Sequence, residues 1–187
     1  MFSFFSCNNK SKPDKQHKTT IEITNETVKL RFFEEIDLSN ARDYEVDIKL
    51  NDNDVSIDLN FEGDKIDPKT LIGIQNILAN LEDFEKSLRK QIRENYDHNG
   101  IAKGYIDFHI EELDPKELKD YLKTSDPNLS VPLQLLSKTK LNRIGFYPEY
   151  PTFYAIFDYR VSSELSDDIL VVWVNENGEI EKMGIES

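Results

Sequence analysis

Three histidines, His17, His98 and His109, are the only imidazoles in this chain, so acid–base chemistry near neutral pH has few carriers. His109 is the candidate. It follows Asp107 and precedes Glu111, and a carboxylate beside an imidazole can orient it as a general base. The same surroundings suit a half-exposed strand histidine among acids, which is the reading we place first. His98 closes a helical pattern, where a cation meets the negative end of the helix dipole. Paired acids recur at Glu34-Glu35, Glu111-Glu112 and Asp167-Asp168. Two carboxylates held apart in a cleft perform glycoside hydrolysis, but 36 acids produce adjacent pairs by chance. No serine or cysteine stands in a nucleophile motif, and no glycine-rich phosphate loop is present. Asn51-Asp52-Asn53-Asp54 has the composition of a calcium loop. Counted from Asp52, however, the required glycine and bidentate glutamate fall on Ile57 and Gly63. No catalytic, cofactor or metal site is therefore assigned.

A second kind of chemistry is recognition. Seven aromatics fall between Phe146 and Arg160. In strand alternation Phe153, Ala155, Phe157 and Tyr159 form a core face, leaving Tyr154, Ile156, Asp158 and Arg160 on the other. Tyrosine and arginine combine large, rigid contact area with polar ends, which favours them at interfaces. Tyr147, Tyr150, Tyr154, Asp158 and Arg160 are thus the candidate protein-binding residues.

The elements that must position these residues follow from hydrophobic periodicity. Residues 1–18 read as a flexible tail, with Lys10, Lys12, Lys15 and Lys18 against Asp14. The remaining 19–187 read as a single α+β domain built mainly of antiparallel sheet. Four strands are expected before Ile66, at Thr20–Thr24, Val28–Phe32, Tyr44–Leu50 and Val55–Phe61, the last two joined as a hairpin. Asp67 and Pro68 then open one long helix over about 68–97, with Leu71, Ile74, Leu78, Leu81, Phe84, Leu88, Ile92 and Tyr96 as its apolar stripe. Glu82–Lys86 and Glu85–Arg89 are the expected pairs along it. Ile101–Ile110 alternates as a strand, and Asp114-Pro115 opens a short helix to about 123. Loop is expected from Thr124 to Pro132. Strands follow at Leu141–Tyr147, Phe153–Val161, Ile169–Val174 and Glu179–Ile185, the last pair turning at Asn177-Gly178. Whether the strand blocks make one sheet or two stays open.

The formal charge is −13, which repels phosphate backbones and anionic lipid and favours a basic protein partner. Between Ile21 and Ile66 thirteen acids face five bases. A single cysteine, Cys7, excludes an internal disulfide and fits a reducing compartment. No apolar run approaches the ~20 residues that span a bilayer, and Met1–Cys7 lacks a signal peptide's basic start. The cytoplasm is the expected compartment.

The C-terminal residues carry a resemblance. Ile144-Gly145-Phe146-Tyr147, Phe157-Asp158-Tyr159, Leu165–Val172, Asn177-Gly178-Glu179 and the closing Glu186-Ser187 resemble a family of small uncharacterised bacterial proteins. Some acidic families of this kind are suspected immunity proteins of polymorphic toxin systems. The resemblance covers about the last fifty residues and, more weakly, Tyr105–Leu118. It implies a hairpin and its lead-in, and no activity. The leading expectation is a non-catalytic protein-binding module, such as an immunity-type inhibitor of a basic toxin or enzyme. The alternative is a hydrolase-like enzyme using His109 and nearby carboxylates.

Overall fold

Among the described residues two sheets and five helices form an α+β fold. The computed structural model describes residues 23–24 and 26–187. The expected tail 1–18, with Cys7 and His17, lies outside the described residues, as does most of the strand expected at Thr20–Thr24. Three two-residue strands, β1 (Ile23–Thr24), β2 (Thr27–Val28) and β3 (Ile36–Asp37), pair antiparallel in a small sheet. The strand expected over Val28–Phe32 is confined to Thr27–Val28, and the chain turns at residues 31–32, where Phe32 takes a left-handed conformation, φ 75°.

The large sheet has six strands in the order of the chain: β4 (Tyr44–Leu50), β5 (Asn53–Leu59), β6 (Lys140–Phe146), β7 (Ala155–Arg160), β8 (Ile169–Val174) and β9 (Ile180–Glu186). The two strand blocks therefore meet in one sheet. They meet at β5 and β6, which run parallel, while the other neighbours are antiparallel. Parallel neighbours need a long crossover, and the helical residues 71–138 supply it. The β4–β5 hairpin turns on Asn51 and Asp52, both at positive φ (49° and 65°), as a two-residue type I′ turn requires.

Three sequence expectations are corrected. The long helix is two, α1 (Leu71–Ala79) and α2 (Leu81–Asp97), broken at Asn80. Leu71, Ile74, Leu78, Leu81, Leu88 and Ile92 are all buried, so the stripe is continuous even though the helix is not. Asn80 departs from helical geometry and its side-chain amide donates to the Asn76 carbonyl at 3.1 Å, a local alternative to the helix ladder. Asp67 and Pro68 shape the turn before α1 rather than its first residues. Glu85 does pair with Arg89, whereas Glu82 bonds Arg31, 2.7 Å away on the small-sheet side.

The second correction is Ile101–Ile110, which is helix α3 (Ile101–Glu112) and not a strand. Ala102, Tyr105, Ile106 and His109 are its buried residues, a spacing of three and four that the apparent alternation concealed. The third lies after the expected short helix, α4 (Pro115–Tyr121), which a 3₁₀ turn extends through Leu122–Thr124. A fifth helix, α5 (Val131–Lys138), follows and buries Leu135 and Leu136.

The helices pack on the sheet face that carries Phe157 and Tyr159. Phe84 of α2 meets Phe157 at 5.5 Å between ring centres, and the Arg89 guanidinium lies 5.6 Å over Tyr159. Val55, Ile57, Leu59, Ile144, Phe146, Leu170, Val172 and Val174 complete this buried layer. Full burial of such side chains contributes about 1.5–3 kcal/mol each, so this face holds the fold together. Among the described residues no helix is long and apolar enough to cross a membrane.

Candidate functional site

Among the described residues the opposite face of the sheet has no helix packed on it, although Asp158 and Val171 there are buried. Glu45, Asp47 and Lys49 of β4 are exposed there, and Ser56, Asp58, Arg143, Ile156 and Trp173 are half-buried. Register sets two rows across it: Asp47, Ser56, Arg143, Asp158, Val171 and Gly184, then Glu45, Asp58, Gly145, Ile156, Trp173 and Lys182.

Arg143 organises the middle. Its Nη1 donates to Asp158 Oδ2 at 3.0 Å, and its Nη2 donates to Asp58 Oδ1 at 2.8 Å and to the Tyr147 hydroxyl at 2.9 Å. Gly145 makes this closure feasible, because a Cβ there would lie 2.6 Å from Arg143 Nη2 and 3.0 Å from the Tyr147 ring. Burial by itself would lower the guanidinium pKa. Its bonds to Tyr147, Asp58 and Asp158 together outweigh that and hold it above its ordinary value. Burial pushes the Asp158 carboxyl up, and Arg143 opposes the rise. Planar guanidinium suits this three-way bridge, which lysine would not reproduce.

The five candidate residues separate in space. Tyr147 joins the Arg143 network. Tyr150 is 46% exposed and its hydroxyl donates to Glu62. Tyr154 is not exposed as expected: it is 4% exposed, and its hydroxyl donates to the Thr70 carbonyl at 2.5 Å. Pro151–Phe153 form a 3₁₀ turn, so strand alternation begins only at Ala155. That shift sends Tyr154 into the core against Phe146 and turns Phe153 outward. Asp158 is on the open face but only 6% exposed, because Arg143 covers it. Arg160 is half-buried, with Nη2 3.5 Å from the Asp167 carbonyl and a buried Nε that has no partner. It lines a cavity of about 490 Å³ with Asp54, Lys140, Asn142 and Glu164.

Two residues that the sequence reading passed over lie beside this network. Trp173, the only tryptophan, faces Lys182 across the β8–β9 ladder, and the Lys182 ammonium stands 4.0 Å from the indole centre. The same ammonium is 5.1 Å from the centre of Phe153. The signal available in the sequence was a lone Trp in a strand position whose neighbours, Val172 and Val174, face the core.

His109 is 1% exposed within α3. Its Nδ1 sits 2.8 Å from the Tyr105 carbonyl, its ring packs against Tyr105 and Phe108, and its Nε2 has no partner. Asp107 is paired with Lys103, and residues two apart on a helix point away from each other. The carboxylate orientation expected from a strand is therefore absent. Among the described residues no three His, Cys, Asp or Glu side chains converge as a metal site.

Charge on the open face is close to balanced. Glu45, Asp47, Asp54, Asp58, Asp158 and Glu186 share it with Lys49, Lys140, Arg143, Arg160 and Lys182. The protein's excess acidity thus lies largely outside this face. Comparison with protein-family models, with curated proteins and with solved structures finds no match.

Proposed function

We propose that this chain is a non-catalytic protein-binding module that engages a basic polypeptide through the open face of its six-stranded sheet, in the manner of an immunity-type inhibitor. One observation carries the reading. Among the described residues a broad sheet face is left without a covering helix, and half-buried Trp173 and Ile156 lie on it in the row next to the pre-bonded Arg143 network. Aromatic and arginine anchors flanked by polar groups make good interface centres. Arg143 is already held by two carboxylates and a phenol, so it would lose little freedom on binding. The net charge of −13 supplies long-range attraction for a basic partner, and the balanced face supplies contact. The resemblance of the C-terminal residues to families containing suspected immunity proteins agrees with this reading.

The test begins with affinity capture from a native lysate at low and high salt. Binding of the purified, identified partner is then measured with variants. Ile156→Arg places a long cation on this face, between Gly145 and Trp173 in register. It should weaken binding at least tenfold, about 1.4 kcal/mol. Val131→Arg, at an exposed position on α5, should bind like the wild type. The reverse pattern, or capture that ignores salt and both substitutions, would sink the proposal.

A further inference from the structure

Lys182 does not extend into solvent as an isolated exposed lysine does. Its ammonium stands 4.0 Å from the centre of Trp173 and 5.1 Å from the centre of Phe153, so two rings share one cation. These rings come from separate places. Trp173 is the last residue but one of β8, and Phe153 ends the 3₁₀ turn before β7. The turn is tied to the β8–β9 connection by the Glu176 amide, which donates to the Pro151 carbonyl at 2.9 Å. Gly184 lets the indole lie against the next strand, because a Cβ there would be 2.8 Å from Trp173 Cζ3. Phe153 is 39% exposed. An apolar ring of that size kept at the surface over a mobile-chain cation is poorly explained by core packing, since neither ring contributes to the buried core.

We propose that Trp173 and Phe153 form an acceptor for an arginine or lysine side chain of a basic protein partner, and that Lys182 occupies this acceptor in the free protein. The proposal rests on the binding reading above and names the group recognised. Ring faces attract any cation of suitable size, and a guanidinium stacks on aromatic faces better than an ammonium does. Lys182 is exposed and joined to the rings by this contact alone among its described contacts, so an incoming arginine can displace it without disturbing the sheet. The overall negative charge makes a cationic occupant the fitting one, and the resident lysine shows that the two rings accept a cation where they stand.

Because Trp173 is the only tryptophan, its emission reports the acceptor directly. The probe is a tetra-arginine peptide titrated at low salt into the full chain, with tetra-glutamate as the control peptide. Wild-type emission should change saturably with tetra-arginine alone. Lys182→Ala should tighten that binding about three- to fivefold by vacating the rings. Removing any lysine also makes the protein more negative. Lys49→Ala, on the distant edge strand of the same face, therefore measures the pure charge effect and should tighten binding less. Phe153→Leu keeps an apolar side chain and should cancel the gain of Lys182→Ala. Equal tightening in the two lysine variants, a gain that survives Phe153→Leu, or emission that does not saturate would overturn the acceptor. Loss of partner binding in Ile156→Arg would then still support the sheet face as the interface, so the two proposals fail separately.

Discussion

Arg143 and Asp58 join the two halves of the sheet: they lie on the parallel pair β6 and β5, eighty-five residues apart in sequence, with Nη2 and Oδ1 2.8 Å apart. Asp158 closes on the same guanidinium from the antiparallel side, at 3.0 Å. Hairpins form from local sequence, but the β5–β6 junction does not, and this bridge spans it.

Replacing Arg143 by Met should therefore destabilise the protein by roughly 2–3 kcal/mol. That is less than for a fully enclosed pair, because the guanidinium is about a third exposed while Asp158 is nearly covered. Urea unfolding measures it. The pH dependence has a definite sign. Asp158 already sits above its usual value, and losing Arg143 removes a group that lowers it. The folded state then holds its proton at higher pH than the unfolded state. The stability deficit of Arg143→Met should accordingly shrink as pH falls through the folded pKa of Asp158. A deficit that grows in acid would contradict the bridge. Arg143→Met with Asp158→Val should recover at least half of the loss.

Tyr159 and Tyr105 are both fully buried, yet their hydroxyls differ. That of Tyr159 has no partner. That of Tyr105 donates to the Asp168 carbonyl at 3.1 Å and accepts from the Val161 amide at 3.1 Å. Tyr159→Phe should be neutral or stabilising by up to about 1 kcal/mol, whereas Tyr105→Phe should cost roughly 1–3 kcal/mol by leaving two backbone groups unpaired. Thermal melts of the two variants should move in opposite directions or differ clearly in size.

Burial pushes the Tyr105 phenol up to about 12, and burial likewise raises Tyr154 and Tyr159. An unfolded tyrosine ionises near ~10. Above that pH the unfolded chain loses phenolic protons that the folded chain keeps, so stability falls as pH rises, by up to about 1.4 kcal/mol per pH unit for each phenol. The expected result is cooperative alkaline unfolding with phenolate absorbance appearing together with loss of structure. Phenolate absorbance from these residues well before unfolding would show that they are not sealed in the core.

Asp52 occupies a left-handed position, φ 65°, in the β4–β5 turn, next to Asn51 at 49°. Asp52→Gly creates the Asn-Gly pair that type I′ turns prefer and relieves a side-chain clash worth about 1–2 kcal/mol. The greater freedom of glycine in the unfolded chain offsets part of this. A net gain of about 0.5–1 kcal/mol in urea unfolding is expected, and a loss would mean the carboxylate is needed at the turn.

Sequence alone determined the parts whose causes are local. Alternation from Tyr44 to Leu59 and the Asn51-Asp52 turn define one hairpin, and Ile169 to Ile185 around Asn177-Gly178 defines another. Asp114-Pro115 starts α4, with Asp114 Oδ1 accepting from the Lys116 amide at 2.8 Å. Tertiary structure decided what periodicity leaves ambiguous. Ile101–Ile110 satisfies both a two-residue and a three-to-four-residue pattern, and packing of Ala102, Tyr105, Ile106 and His109 selects the helix. The apolar stripe from Leu71 to Ile92 reads the same across the break at Asn80, because burial constrains faces and not axis continuity. Tyr154 and Phe153 exchange their expected sides because a 3₁₀ turn over Pro151–Phe153 replaces the start of the expected strand, while Ala155, Phe157 and Tyr159 keep the core face that alternation assigns them. The pairing of β5 with β6, and with it the meeting of Arg143, Asp58 and Asp158, depends on closing a chain segment of eighty residues. Only the packing of the intervening helices on the sheet sets that register.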